Sequence, residues 1–281
     1  MPAKSDIAGN EFQRIRLEFP EVAMELLFLG TGTSCGVPQI GCDCEVCTSS
    51  DPRDKRLRSG AVVRGGGVSI IVDTPPEFRL ACLKYNVARA DAVFITHAHM
   101  DHIAGFDDIR RFNTLNGDHP IPCYAAEETI ADLHRIFPYI TSKPNTEGLY
   151  RPQIEFTPVA GAVRVGGIEV TAVPVVHGPR TNGYVFECDG RRMAYIPDCR
   201  EIPDASLEKL HDLDVLVLDC LRGDEPRIHP THMTLSLSLA AAEKIGAKRT
   251  YFTHACHRVL HRDFEKLLPQ GVALAYDGLI V

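Results

Sequence analysis

Ile95-Thr96-His97-Ala98-His99-Met100-Asp101-His102 packs three imidazoles and one carboxylate into six residues. Just before the first histidine, Asp91-Ala92-Val93-Phe94-Ile95 is a short β-branched and aromatic run, the pattern of a buried strand. In extended chain, side chains at i and i+2 share a face, so His97 and His99 can bind one cation where the strand ends. Asp101 and His102 follow in a turn and can reach a second cation beside the first. Imidazole with carboxylate suits zinc, manganese or iron rather than calcium or magnesium. A solvated, histidine-rich loop is the plain alternative, but it does not explain why these donors directly follow a strand.

Further donors stand at further strand ends. His177 follows the apolar run 168–176, Asp198 follows 193–196 with one proline between, and His254 follows 249–253. A lone histidine after a strand is usually structural. Four donors placed alike, His97, His177, Asp198 and His254, converge if their strands share an orientation at one sheet edge, which is how α/β architectures build sites. Ser69-Ile70-Ile71-Val72-Asp73 is another such strand, broken by Thr74-Pro75-Pro76. Asp73 can orient a metal ligand from behind or serve as a turn or cap carboxylate.

Nearer the N-terminus, a strand over 25–29 runs into Gly30-Thr31-Gly32-Thr33-Ser34. The lysine of a phosphate-binding loop is absent. The segment reads as a tight turn that brings backbone and hydroxyls near the site, or as a turn and no more. Cys42-Asp43-Cys44-Glu45-Val46-Cys47 offers three thiolates at CxCxxC spacing, enough for three corners of a zinc tetrahedron. Free buried cysteines would sit in apolar runs, whereas these lie in a Gly/Asp/Glu loop. Cys35 lies in the preceding turn, outside that spacing.

Elsewhere the pattern predicts helices over 77–85, 103–109, 129–137 and 234–245, the last closed by Gly246. Strands are expected over 120–124, 162–165, 168–176, 184–188, 193–196 and 214–219, with Gly166-Gly167 as a hairpin turn. His134 is expected on a helix surface. Residues 138–152, rich in Pro, Gly, Asn and Thr, read as a long loop, either a substrate wall or a surface excursion.

The chain has 281 residues, 44% of them hydrophobic, which suffices for one large domain or two small ones. A formal charge of −7 disfavours polyanion binding by charge alone. Residues 1–23 are polar, with no apolar core of a signal peptide, and no run approaches the ~20 apolar residues of a membrane span. Three of the ten cysteines fall within six residues, which fits a metal site in a reducing cytoplasm better than disulfides.

His-x-His-x-Asp-His after a strand resembles the signature of the metallo-β-lactamase superfamily. The resemblance implies a four-layer αββα sandwich of α/β class, with one or two metals at the sheet edge. It implies that His97, His99 and His177 hold one metal, that Asp101, His102 and His254 hold a second, and that Asp198 bridges them. Aspartate rather than cysteine at the bridge points away from the β-lactamases proper, towards hydrolases of phosphodiesters or thioesters. The Gly30-Thr31-Gly32-Thr33 turn, the CxCxxC, and Thr253-His254-Ala255-Cys256-His257 followed by Ala275-Tyr276-Asp277-Gly278 resemble the PhnP-like phosphodiesterases. This resemblance spans 24–281, read as a single hydrolase domain after an N-terminal extension, 1–23. It implies that His257 completes a structural zinc site with Cys42, Cys44 and Cys47, with Cys256 as the rival donor. It also implies a histidine beside the substrate that binds no metal. His232 falls in the matching region, and His229 is the competitor.

The expected function is a phosphodiesterase acting on cyclic phosphates or small nucleotide-like diesters, using two divalent ions (zinc, manganese or iron) and one structural zinc. Asp101 and His232 are its expected catalytic residues, His232 protonating the leaving oxygen or steadying the phosphate. Rival readings are a tRNA 3′-processing endonuclease, a thioester or lactone hydrolase, and a PqqB-like carrier or biosynthesis protein. The expected partner is a small phosphodiester, with no membrane and no stable nucleic-acid complex. The sequence leaves a homodimer open.

Overall fold

The computed structural model of the protein describes residues 24–141, 150–225, 227 and 229–281. The N-terminal extension read over 1–23 lies outside them. Two mixed sheets are stacked between layers of helices, the αββα arrangement expected from the sequence. The first sheet holds β1 (Met24–Gly30), β2 (Gly60–Gly65), β3 (Val68–Val72), β4 (Ala92–Phe94), β5 (Ile121–Ala125) and β6 (Ile154–Pro158), side by side in chain order. The second holds β7 (Ala162–Val165), β8 (Ile168–Val175), β9 (Thr181–Cys188), β10 (Arg191–Ile196), β11 (Val215–Asp219), β12 (Arg249–Thr253) and β13 (Val272–Leu274). Each sheet begins as an antiparallel meander and ends as a parallel array, from β3 to β6 and from β10 to β13.

Period-two alternation sorts the side chains into three apolar layers. Leu26 and Phe28 point between the sheets, with Val63, Phe94, Tyr184, Phe186 and Val217. Leu27 and Leu29 point the other way, under helices that contribute Phe78, Ile103, Phe106 and Leu133. Val185, Ile196, Leu218 and Phe252 fill the equivalent layer outside the second sheet. The Phe94 ring stacks on Tyr124 at 4.8 Å and meets Tyr184 of the facing sheet edge-on at 5.1 Å. Burying each such ring stabilises the sandwich by about 1.5–3 kcal/mol.

Several local expectations change. The helix expected over 103–109 is one turn, Met100–Ile103, then a 3₁₀ turn, Phe106–Ile109, leading into Arg110–Leu115. The break falls at Gly105, where a Cβ would stand 2.3 Å from the Pro75 carbonyl oxygen. Residues 138–152 are not loop throughout, because Pro138–Thr141 forms a helical turn. Strands β2, β6 and β13 carry weak signals: β2 is bounded by glycines, β6 is a partly exposed edge ending in proline, and β13 has three residues.

Candidate metal centre

In the second sheet, β8, β10, β11 and β12 all point the same way, so their C-terminal ends form one rim. His177, Asp198 and His254 leave that rim, facing the segment 97–102 that follows β4 of the first sheet. The structure thus brings together all seven donors that sequence reading placed at 97, 99, 101, 102, 177, 198 and 254.

They fall into two groups that share Asp198. In the first, His97 Nε2 lies 2.9 Å from His99 Nδ1, and His177 Nε2 lies 3.3 Å from the same atom. Asp198 Oδ2 stands 3.5 Å from His177 Nε2 and 3.8 Å from His97 Nε2. In the second, His102 Nε2 is 3.2 Å from Asp198 Oδ1 and 3.4 Å from Asp101 Oδ2, and a ring nitrogen of His254 joins them. Neighbouring donors on a tetrahedral ion with bonds of about 2.0 Å lie about 3.3 Å apart, so both groups fit one cation each.

Electrostatics agree with that fit. His102 Nε2, His254 Nε2 and Asp198 Oδ1 are buried without a hydrogen-bond partner, a costly state for polar atoms in a protein interior. Burial holds His97 well below the usual imidazole range and takes His254 down to about 3, which leaves neutral rings with lone pairs to offer. His102 goes the other way: burial opposes its charge, but Asp198 and Asp73 overcome it and raise it well above the usual value. At its Nε2 the carboxylates of Asp198 and Asp101 converge, the place a metal cation would take.

Atoms behind the rings fix which nitrogen faces inward. His102 Nδ1 donates to Asp73 Oδ2 at 2.7 Å, and His177 Nδ1 donates to the Thr231 carbonyl at 2.8 Å. Asp73 thus does orient a candidate ligand, with its backbone in the left-handed region at φ 61°. The Gly30–Ser34 turn also serves the site. Gly32 has no room for a Cβ beside Arg56, and its carbonyl accepts from Ser59 Oγ, which lies 3.1 Å from His254 Nδ1.

His232 is buried beside this centre. Its ring lies 4.6 Å from His177 and stacks on His254 at 4.7 Å, one contact to each donor group. Its Nδ1 donates to Asp219 Oδ2 at 2.8 Å. Burial works against its charge, but Asp219 prevails and lifts it to about 9. The ring of His229, the competitor, lies 5.2 Å from that of His232. Sequence reading treated Asp219 only as the end of a strand. The signal it shares with Asp73 and Asp198 is a carboxylate closing, or just past, a strand whose C-terminal half is buried.

The cysteine loop forms a second, separate cluster. Cys42, Cys44 and Cys47 Sγ lie 3.3, 3.7 and 3.9 Å from His257 Nδ1. Sulfur and nitrogen on one tetrahedral zinc would be about 3.5 Å apart. Cys256 is buried and is not among the donors that meet there. Backbone N–H groups also point at the sulfurs, Gln39 at Cys47 and Cys47 at Cys44; the second lowers the Cys44 thiol, while burial pushes Cys47 up to about 11.

With the two-group centre in place, comparison with known proteins decides the family. The model of the beta-lactamase superfamily domain matches residues 69–255, about two-thirds of the chain. The chain belongs to the beta-lactamase superfamily. Within that superfamily it is similar to a diphosphatase of the PhnP family, at 42% identity and a TM-score of 0.82, covering 92% of this chain and 97% of the other. It is 30% identical over 267 residues to an octanoyltransferase of Porphyromonas gingivalis, covering 91% of this chain but 51% of that protein. The chain therefore spans about half the length of that relative. Zn(2+)-bound PqqB of Methylobacterium extorquens shares the fold, at 20% identity and a TM-score of 0.73, covering 92% and 99% of the two chains. The chain thus carries a metallo-hydrolase domain of this superfamily. No helix among the described residues is long and apolar enough to cross a membrane.

Proposed function

We propose that residues 24–281 act as one phosphodiesterase domain that hydrolyses small phosphodiesters at a dinuclear centre. The first ion is assigned to His97, His99 and His177, the second to Asp101, His102 and His254, with Asp198 shared. Cys42, Cys44, Cys47 and His257 are assigned a structural zinc. When bound, two divalent ions in the centre supply a water of lowered pKa and offset charge on the phosphate. The residues of the chain do the rest. Asp198 sets the spacing of the two donor groups, and Asp101 lines the second beside the incoming water. His232, held as a cation by Asp219, protonates the leaving oxygen.

The observation that carries this reading is the place of His232. Bonded to Asp219, it stands beside both groups and is not itself part of either. The 42% identity to a diphosphatase favours a second reading within the same chemistry, in which the broken bond joins two phosphates. The formal charge of −7 speaks against gripping a tRNA precursor. Thioester hydrolysis would not need a protonated histidine at the leaving group, because a thiolate departs readily without a proton.

The test is an assay of protein with measured metal content on bis(p-nitrophenyl) phosphate and on a small diphosphate diester. Both readings expect turnover that chelation abolishes and manganese or zinc restores. His232→Ala should lower it about 10²–10⁴-fold. A folded protein carrying two ions besides the knuckle zinc, yet inert on both substrates, would refute the proposal.

A further inference from the structure

Thr96 lies between the two donor groups, and every polar atom it has is committed. Its N–H donates to Asp73 Oδ1 at 2.8 Å, and its carbonyl accepts from Asn182 of β9 at 3.0 Å. Its hydroxyl oxygen is 2.8 Å from Asp73 Oδ2 and 3.0 Å from His97 Nδ1. Asp73 Oδ2 also takes the Nδ1–H of His102 at 2.7 Å. Thr96, Asp73, His97 and His102 are all fully buried, so water cannot stand in for any of these partners.

Proton counting gives the direction of each bond. Asp73 accepts at both oxygens, the Thr96 N–H at Oδ1 and the His102 Nδ1–H and Thr96 O–H at Oδ2. The single hydroxyl proton of Thr96 is thereby spent on Asp73. The hydroxyl then has only lone pairs to offer His97, and His97 must carry its proton on Nδ1. Its Nε2 is left bare, facing His99 and Asp198.

We infer that Thr96 is a positioning residue that fixes the tautomer of His97, and that through it the one Asp73 carboxylate orients a ligand in each donor group. The inference rests on the metal assignment proposed above. Asp73 acts on His102 directly and on His97 only by way of the Thr96 hydroxyl, so removing that hydroxyl separates the two. Thr96→Val keeps the shape and loses the relay. Thr96→Ser keeps the relay.

Two measurements test this. Metal titration against a chelator should show Thr96→Val binding one ion about 10–100-fold more weakly. The second ion and the knuckle zinc should bind as in the parent, and Thr96→Ser should match the parent throughout. In metal-free protein, histidine ¹⁵N NMR should show His97 as the Nδ1–H tautomer in the parent and in Thr96→Ser, and as a mixture in Thr96→Val. If Thr96→Val does not fold, Thr96→Ala carries the same comparison. Two ions bound with parental affinity and an unchanged His97 tautomer would overturn the inference. Should the parent bind no ion beyond the knuckle zinc, the metal assignment falls, while the tautomer measurement still decides the role of Thr96.

Discussion

Asp219→Asn isolates the charge that holds His232. In the structure Asp219 Oδ2 accepts both the His232 Nδ1–H and the Cys199 N–H, each at 2.8 Å, while Oδ1 has no partner. An asparagine can keep its oxygen on the side of the two donors, so the fold survives at a cost of about 1–3 kcal/mol for a buried, unpartnered amide. What disappears is the negative charge. With it, His232 is lifted to about 9; without it, burial leaves the ring at or below the ordinary value near 6.5. In metal-free protein at about pH 7.5 the protonated fraction then falls from ~97% to ~9% or less, a loss of at least about tenfold in the donor form.

Burial drives Asp219 itself up to about 6. The charged His232–Asp219 pair therefore exists between about pH 6 and about pH 9 in the parent. The sign for stability follows from the raised histidine. Its contribution is full below the unfolded value near 6.5 and is lost as pH rises through about 9. The assay is kcat against pH with metal content held fixed. Asp219→Asn should move the basic limb down by about two units and restore part of the rate in mild acid. Parental kcat with an unshifted basic limb would refute the role assigned to the pair.

Other outcomes follow from the packing and the cysteine loop. Cys44 caps the helix Glu45–Thr48 by accepting from Cys47 N, so Cys44→Ser keeps a capping oxygen and removes a thiolate. It should lose one zinc per chain by elemental analysis and lower Tm by roughly 5 °C or more, with the structural metal no longer adding to folding free energy. Phe94→Ala, between the sheets, should cost about 3–5 kcal/mol in denaturant unfolding and leave the metal content of the surviving folded fraction unchanged. Chelation of the two-group centre should abolish turnover before it unfolds the protein, as read by activity and circular dichroism on one sample.

The sequence by itself determined a great deal of this protein. The runs 25–29, 184–188 and 193–196 were legible as strands, because short apolar runs between turn signals suit a pleated, buried backbone. The donors at 97–102 were legible because their spacing is local, and the β runs before His177, Asp198 and His254 marked them as strand-end residues. The CxCxxC loop was legible for the same reason. Short strands such as β13 and the break at Gly105 were not, because a three-residue run carries little pattern and a steric clash with Pro75 is invisible along the chain. Only the tertiary structure decided which partners stand behind the ligands. Asp219 with His232, Thr96 with Asp73, the Thr231 carbonyl with His177, and His257 rather than Cys256 against the thiols are pairings across the fold. A hydrogen bond needs atoms within about 3 Å at a suitable angle, and residues as far apart in the chain as Cys42 and His257 reach that geometry only when the sheets are packed.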